Sequence, residues 1–472
     1  MAPIAAVLVA AGLGAAGNGT AVAVSPDGPA AQLRGAPGTW TKISTGGVGI
    51  TSQSGLYRTP DGVLHVVYPR SVGDADSQLG HTAIDPDGTV AVQNDILPTS
   101  WASIDSTPVV VGDGADGIRV IAGGIKDSTD GFWSQGRIYT MTAPESGASW
   151  ELPAEAVGIS TGGYGSYGTG ATTLADGTPV AAFTSNSTIT WHTGTGSDPD
   201  QSFTVSCCAY NLTMVRDGDD VWIAWYANGN SPAGNGTFVR QIAPTLGPIT
   251  KAPQSSVGAD SIPTDRVALV ARDGGGVYLA YCTGYPYCGH IGLWKVGTST
   301  VHKVPGTKYA DNLAISPGPS GRMWIAWSDN IPVVHALRTN IAGTGFGPAR
   351  NLRMPPHKDS AYSLAINGTT SRGDVVVNVG DGYWHTQVAP GLTVKAKPTS
   401  WPHGHKKKVT FTVSDAGDAV AGAKVKAGSK SCTTAASGTC AITFPKSTKA
   451  GPLVAKASKS GYGAGSVRLK VK

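Results

Sequence analysis

One pattern recurs along the chain: a polar turn carrying glycine, then a short and nearly unbroken apolar run. It reads "TPDGVLHVVYPR", "DGADGIRVIAGG", "LADGTPVAAFTSN", "RDGDDVWIAWYANG", "RDGGGVYLAYCTG", "GPSGRMWIAWSDN" and "TSRGDVVVNVGDG". The glycines stand at 62, 117, 177, 218, 276, 321 and 373, a mean period of about 52 residues, near that of propellers with four strands per blade. A run of strand length that is apolar on both faces is expected to be buried on both faces. Strand-like stretches precede the runs ("ALVAR", "NLAIS", "YSLAI") and two more follow ("GTFVRQIAP" then "PITKAP"; "HIGLWKVG" then "TVHKVP"). The pattern therefore predicts a seven-bladed β-propeller of four-stranded blades over 38–391, with Trp222, Trp225, Tyr278, Tyr281, Trp324 and Trp327 packed between blades. The last repeat lacks an outer strand, and "GTWTKIS" at 38–44 is left over before the first. Pairing the two would close the ring without an open edge.

Composition sharpens this to an all-β fold: 65 Gly and 31 Pro against 14% charged residues and only three Glu favour turns and short strands over helices. The length of 472 residues asks for more than one domain. Residues 1–23 carry an apolar run ending in "AVA", the form of a signal-peptidase site, although no Lys or Arg precedes the run. A signal peptide at 1–23, a linker at 24–37 and a secreted, extracellular chain are expected. No segment approaches 18 continuous apolar residues, so no transmembrane segment is expected.

Six cysteines fit an oxidising compartment. Cys282 with Cys288, and Cys432 with Cys440, bracket short loops and read as local disulfides, the second stapling a hairpin. Adjacent Cys207 and Cys208 leave two alternatives open, a vicinal ring or crosslinks to Cys282 and Cys288. No CxxC pair is present, and neither a metal nor a cofactor is expected.

With the repeat phrase, "LYRTPDGVLHVVYPR" (57–70) and "APESGASW" (143–150), the chain resembles the sialidase-like, BNR-repeat family of secreted propellers over roughly 38–391. The last segment matches that family's S-x-D-x-G-x-x-W box at Gly147 and Trp150, with Glu145 in place of Asp. The resemblance implies a hairpin of the two outer strands there. It also implies, for active members, three arginines on a substrate carboxylate and a Tyr–Glu nucleophile pair with an Asp acid/base. Here "GVGITSQSG" holds no arginine where the first is due, and only Arg70 loosely matches a family arginine. Glu145, Glu151 and Glu155 all lie within eleven residues on the outside of one blade. The chain reads as lacking sialidase chemistry.

Loops leaving the second strand and loops leading into the first strand of each blade share one face. They carry the candidate ligand-binding residues Arg70, Asp105, Tyr164, Tyr210, Asn228, Asp265, Arg266, Asp311, Asp329, Asp359 and Tyr362. Rings that stack on a pyranose beside carboxyl and amide groups that bond its hydroxyls suit a sugar. A binding protein for an extracellular glycan or cell-surface polymer is favoured. The alternative is a carbohydrate-active enzyme, a glycoside hydrolase or a polysaccharide lyase, the lyase drawing on His357, Tyr362, His385 and Arg70. No catalytic residue is assigned.

Residues 392–472 hold fourteen lysines and Arg468 against Asp415 and Asp418, a net charge of +13. "KVTFTVSD", "AKVKAG", "CAITFP", "PLVAKASK" and "SVRLKVK" alternate as strands with one wet face, and the segment resembles a small bacterial immunoglobulin-like sandwich. Lys406, Lys407 and Lys408 in "HGHKKK" are the candidate anchor on an anionic surface. Nucleic acid is not expected as a partner, because aromatics are not interleaved with the charge, and a monomer is expected.

Overall fold

The computed structural model describes residues 39–472 except 45–52, 74–75, 105, 114–116, 127–136, 152–153, 158–167, 186, 195–199, 207, 229–232, 256–265, 285–287, 330–331, 356–357 and 359. The segments read as signal peptide and linker lie outside the described residues. Among the described residues the regular structure is β-strand, apart from a 3-10 turn at Pro319–Gly321.

Seven sheets are present among the described residues between Thr41 and Val388, six of four strands and one of five. The fourth is representative: Ala209–Asp217, Asp220–Asn228, Asn235–Ala243 and Thr250–Lys251 form an antiparallel meander. Gly218, at φ 65, turns the first strand into the second, a backbone conformation that glycine adopts without steric cost. The second sheet differs, because Ser103–Ile104 and Val109–Gly112 both pair with Gly117–Ile125.

The inner strands Gly55–Arg58, Val109–Gly112, Thr169–Thr173, Ala209–Asp217, Ala268–Ala271, Leu313–Pro317 and Ser363–Gly368 pack side by side in chain order, and the last returns to the first. They crowd: a Cβ on Gly55 would lie 2.5 Å from the Pro108 carbonyl oxygen. A ring of sheets stacked face to face about an axis is the arrangement of a β-propeller. Its closure follows the sequence reading. Thr41–Lys42 pairs with Tyr383–Val388, Thr41 facing His385 and Lys42 facing Trp384, so the first strand among the described residues completes the seventh sheet.

The aromatic residues of the repeat phrase alternate between the two neighbouring sheets. Trp225 packs back on the third sheet, Tyr226 and Tyr281 fill the seam between the fourth and fifth, Tyr278 and Trp327 that between the fifth and sixth, and Trp324 that between the sixth and seventh. All are buried, whereas Trp222 is half-buried at the margin of its seam. Each large ring removes about 150–250 Å² from water, about 4–6 kcal/mol at 25 cal per Å².

The turn at 143–150 joins Arg137–Pro144 to Ala154–Val157, the hairpin that the resemblance implies. Gly147, at φ 63, presses on His81, where a Cβ would collide, and the Trp150 ring meets His81 edge-on at 5.2 Å. The turn thus clips the second sheet to the first. Beneath it a polar relay is buried. Asn94 Nδ2 donates to the Gly147 carbonyl (3.0 Å), which leaves Asn94 Oδ1 to accept from His81 Nδ1 (2.9 Å) and His81 Nε2 to accept from His65 Nδ1 (2.9 Å).

Burial, with the neighbouring His81 as a second cause, lowers the His65 pKa to about 4, and burial lowers that of His81 to about 4. Unfolded histidines titrate near 6.5, so between 6.5 and 4 the unfolded chain binds more protons, and stability is lost as the pH falls through that window. Chemical unfolding is expected to show a loss of up to about 3 kcal/mol per histidine over that window, removed in a His65→Phe/His81→Leu variant. A pH-independent midpoint for the native chain would contradict the neutral pair.

Residues 393–471 form two further sheets enclosing one core. Thr393–Lys397, Lys407–Asp415, Asp418–Ala419 and Thr439–Phe444 make the first, and Ser400–Trp401, Gly465–Val471, Gly451–Ser458, Lys424–Ala427 and Lys430–Thr433 the second. The Cys432–Cys440 disulfide is present, but it does not staple a hairpin. Cys432 lies in one sheet and Cys440 in the other, because the turn at 434–438 carries the chain over the sandwich edge, with Gly438 at φ 72.

The sandwich is docked on the propeller by its only two acidic residues. Arg338 donates to Asp415 through Nε (2.8 Å) and Nη2 and reaches the Tyr462 hydroxyl at 3.2 Å. Arg322 Nη2 pairs with Asp418 at 2.6 Å, and Asp418 also accepts the Ile341 N–H at 2.9 Å.

Candidate functional site

Strand direction puts the loops that leave second strands and the loops that lead into first strands on one face. The sandwich docks on the other, through the ends of third strands such as Val333–Arg338. The loop face is built in two zones, a buried centre and an exposed rim.

At the centre, Arg266 Nη2 donates to the carbonyls of Thr107 (2.6 Å) and Pro108 (2.5 Å), and the Arg266 N–H donates to Gln53 Oε1 (3.1 Å). Gln53 Nε2 in turn donates to the Leu364 carbonyl at 2.5 Å. These bonds join the fifth sheet to the second and first, which are not its neighbours in the ring, so they cross the axis. Arg266 therefore spans the centre of the face through backbone carbonyls. Gln53, buried and without any motif around it, was not legible as a partner in the sequence.

Around the centre a polar ladder links adjacent inner strands. Thr213 Oγ1 donates to the Val267 carbonyl (2.6 Å) and the Val267 N–H to the Asn211 carbonyl (3.0 Å). Asn312 Nδ2 donates to Ser328 Oγ (2.9 Å) and to the Ala361 carbonyl (2.8 Å). Asn211 and Tyr309, both just before or within inner-strand starts, hold left-handed backbones at φ 56 and φ 64. For a tyrosine this conformation is strained, and such strain clusters at ligand sites.

On the rim, Tyr309 is 45% exposed and Tyr362 41%, the two exposed large aromatics among the described residues. They precede the inner strands of the adjacent sixth and seventh sheets. The Tyr309 N–H donates to the Cys288 carbonyl (2.8 Å), so the Cys282–Cys288 disulfide and this bond together fix the loop. Lys308 Nζ lies 4.6 Å from the Tyr309 ring centre. The Tyr362 N–H donates to the Asn378 carbonyl (2.8 Å), and its ring lies against Gly380. Asp311 stands between these tyrosines in sequence, and partial desolvation raises its carboxyl pKa.

Other sequence candidates have structural partners. Arg70 holds Asp95 through Nε (3.0 Å) and Nη2 (2.5 Å), which turns it toward the outer strand of its own sheet. Asp329 accepts from His335 Nε2 (2.8 Å), whose ring stacks on Trp327. Asn228 Oδ1 accepts the Cys208 N–H at 3.1 Å and Tyr210 is half-buried nearby. Cys208 is disulfide-bonded, while Cys207, Asp105, Tyr164, Asp265, Asp359 and His357 lie outside the described residues. His385 is remote from this face, buried against Asp374 on the docking side (2.8 Å). No group of three or more His, Cys, Asp or Glu that could hold a metal occurs among the described residues.

No family model matches the chain, and no curated protein matches it. Among solved structures, it is similar to a Hadza microbial sialidase (12% identity, TM-score 0.43), over 71% of this chain and 65% of that one. It is similar to a lectin solved with α-methyl fucoside (12%, TM-score 0.38; 67% and 98% covered). It is also similar to the six-bladed fucose-binding lectin of Aleuria aurantia (11%, TM-score 0.37; 60% and 90% covered). These are likenesses of shape, and at this level none carries an argument about activity.

Proposed function

We propose that the protein is a secreted glycan-binding protein, a seven-bladed propeller over 38–391 that presents its loop face to an extracellular sugar, followed by an immunoglobulin-like module over 392–472. One observation carries the reading. The two exposed large aromatic rings among the described residues, Tyr309 and Tyr362, stand on adjacent sheets of the same face. One of them is held in a strained backbone by a disulfide-fixed loop. Exposed rings have a cost in water that stacking on a pyranose removes. The other candidate residues of that face, among them Asp105, Tyr164, Tyr210, Asp265 and Asp359, would supply hydroxyl contacts. The C-terminal module, with Lys406, Lys407 and Lys408, would attach the protein to an anionic polymer.

The test is a glycan array probed with the intact chain, followed by calorimetric titration of the best binder. Tyr362→Ala and Tyr309→Asn, the second chosen because Asn tolerates a positive φ, are each expected to weaken binding about 5- to 30-fold, with about 1–2 kcal/mol per ring. Melting temperatures should stay close to that of the native chain. Unchanged affinity in both variants would sink the assignment. A second reading, a glycoside hydrolase or lyase, draws on the raised carboxyl pKa of Asp311, a property of a proton donor. Release of reducing ends or unsaturated products that disappears in Asp311→Asn would put it in place of the first.

A further inference from the structure

The outer face of the five-stranded sheet in the C-terminal sandwich presents cations in register. Lys426 stands directly opposite Lys456, Val454 opposite Arg468, and Pro452 opposite Lys470. These cations are exposed, while the alternating Val425, Ala455, Ala457 and Leu469 point into the core, so they share one face. Like charges directly opposite across a strand pair oppose folding, and folding alone gives no reason to set Lys426 against Lys456.

The sandwich supplies no counter-charge. Its only acidic side chains, Asp415 and Asp418, are committed to Arg338 and Arg322 of the propeller. That docking uses the turns at 415–418 and 461–463 at one end of the sandwich, which leaves the sheet face open. Val454, 44% exposed, lies between the cations, and a groove of about 530 Å³ runs beside Thr399, Ser400, Pro452, Arg468 and Lys470.

We propose that this face binds a linear anionic polymer with a sugar or polyol backbone. Its anionic groups pair with Lys426, Lys456, Arg468 and Lys470, and its backbone lies over Val454 and Pro452. Side chains two apart on a strand are about 7 Å apart, so the face offers charges at polymer-like intervals around an apolar strip. It offers no aromatic ring for stacking a nucleobase. The inference rests on the reading that the C-terminal module attaches to anionic polymer, and it moves the contact away from Lys406, Lys407 and Lys408, which lie at the start of a strand in the opposite sheet.

The intact chain is compared with K426Q/K456Q/R468Q/K470Q and with K406Q/K407Q/K408Q on immobilised poly(glycerol phosphate), polygalacturonate, neutral dextran and duplex DNA. Each pair at a surface is worth about 1.4- to 5-fold in affinity, so the four-site variant is expected to lose at least about fourfold and the three-lysine variant less than about twofold. Binding should weaken as salt rises. A preference for the phosphate or the uronate polymer identifies the source, and either supports the proposal. The variants should keep any neutral-glycan binding by the propeller. Stronger retention on DNA, or equal retention on dextran, overturns the proposal. Binding lost in the three-lysine variant and kept in the four-site variant overturns the sheet face alone, whereas an intact chain that binds none of the anionic polymers overturns the attachment reading with it.

Discussion

Asp374→Ala is expected to destabilise the propeller by about 3–5 kcal/mol, the loss found when one partner of a buried ion cluster is removed. Asp374 is 1% exposed at the seam between the seventh and first sheets. Its carboxylate accepts from Arg58 (2.5 Å), Arg372 (3.1 Å), His385 (2.8 Å) and Gln387 (3.0 Å). Arg58 belongs to the first inner strand, 316 residues earlier in the chain, and also bonds Asn367 Oδ1 at 2.9 Å. Burial alone would raise the Asp374 pKa; Arg58 above all, then His385 and Arg372, overcome it and hold the carboxyl well below its usual range. Without the carboxylate, two guanidinium groups and an imidazole face one another in a closed seam where the ring's ends meet. Urea unfolding of the variant should show the loss, with Asp374→Asn intermediate because it keeps some hydrogen bonds. A change below about 1 kcal/mol in the alanine variant would mean that the seam is held by its apolar contacts.

Arg338→Met is expected to cost a similar amount, about 3–5 kcal/mol, at the joint between propeller and sandwich. Asp415, 1% exposed, would keep only Arg322 at 3.4 Å. Arg338 also donates to the Thr370 carbonyl and lies over the rings of Trp324 (5.7 Å) and Tyr462 (5.5 Å), so its loss also opens packing. The joint should yield first. Limited proteolysis near 389–392 and a larger radius of gyration in solution scattering are the expected signs. In the double variant with Asp415→Leu, which removes both charges, much of the stability should return, since replacing a buried pair with apolar groups is often close to neutral. If the double variant is as unstable as the single, the charge pair is not what joins the two parts.

The strands were legible because their signal is local. A glycine turn and a run buried on both faces identify the second strand of each sheet, and the leftover strand at Thr41–Lys42 could be paired with Tyr383–Val388 by counting. The aromatic seams followed from the same repeat. What the sequence did not disclose are contacts whose partners are hundreds of residues apart and carry no motif. Arg58 with Asp374 and Arg338 with Asp415 read as ordinary charges until the ring brings them together, and Arg266, read as a ligand contact, bonds Thr107 and Gln53. Asp415 and Asp418 sit in "SDAGD", a turn composition, and nothing local distinguishes a capping aspartate from one buried against another domain. The disulfide Cys432–Cys440 was found from its spacing, but spacing does not report that the chain changes sheets between its two ends. On the loop face, Tyr362 was legible as a rim ring, whereas the exposure of Tyr309 and the strain at its backbone depend on how the loop leads into the next strand.

Hydrogen exchange on the intact protein, with and without a saturating amount of the tightest binder from the glycan array, shows which face of the propeller holds the sugar. Protection is expected in the peptides that span 208–212, 308–313 and 360–364 on the loop face, and the docking-side turns at 341–345 and 369–373 should exchange as before. Protection confined to the docking side or to the sandwich, with the loop-face peptides unchanged, would contradict a glycan site on this face of the propeller.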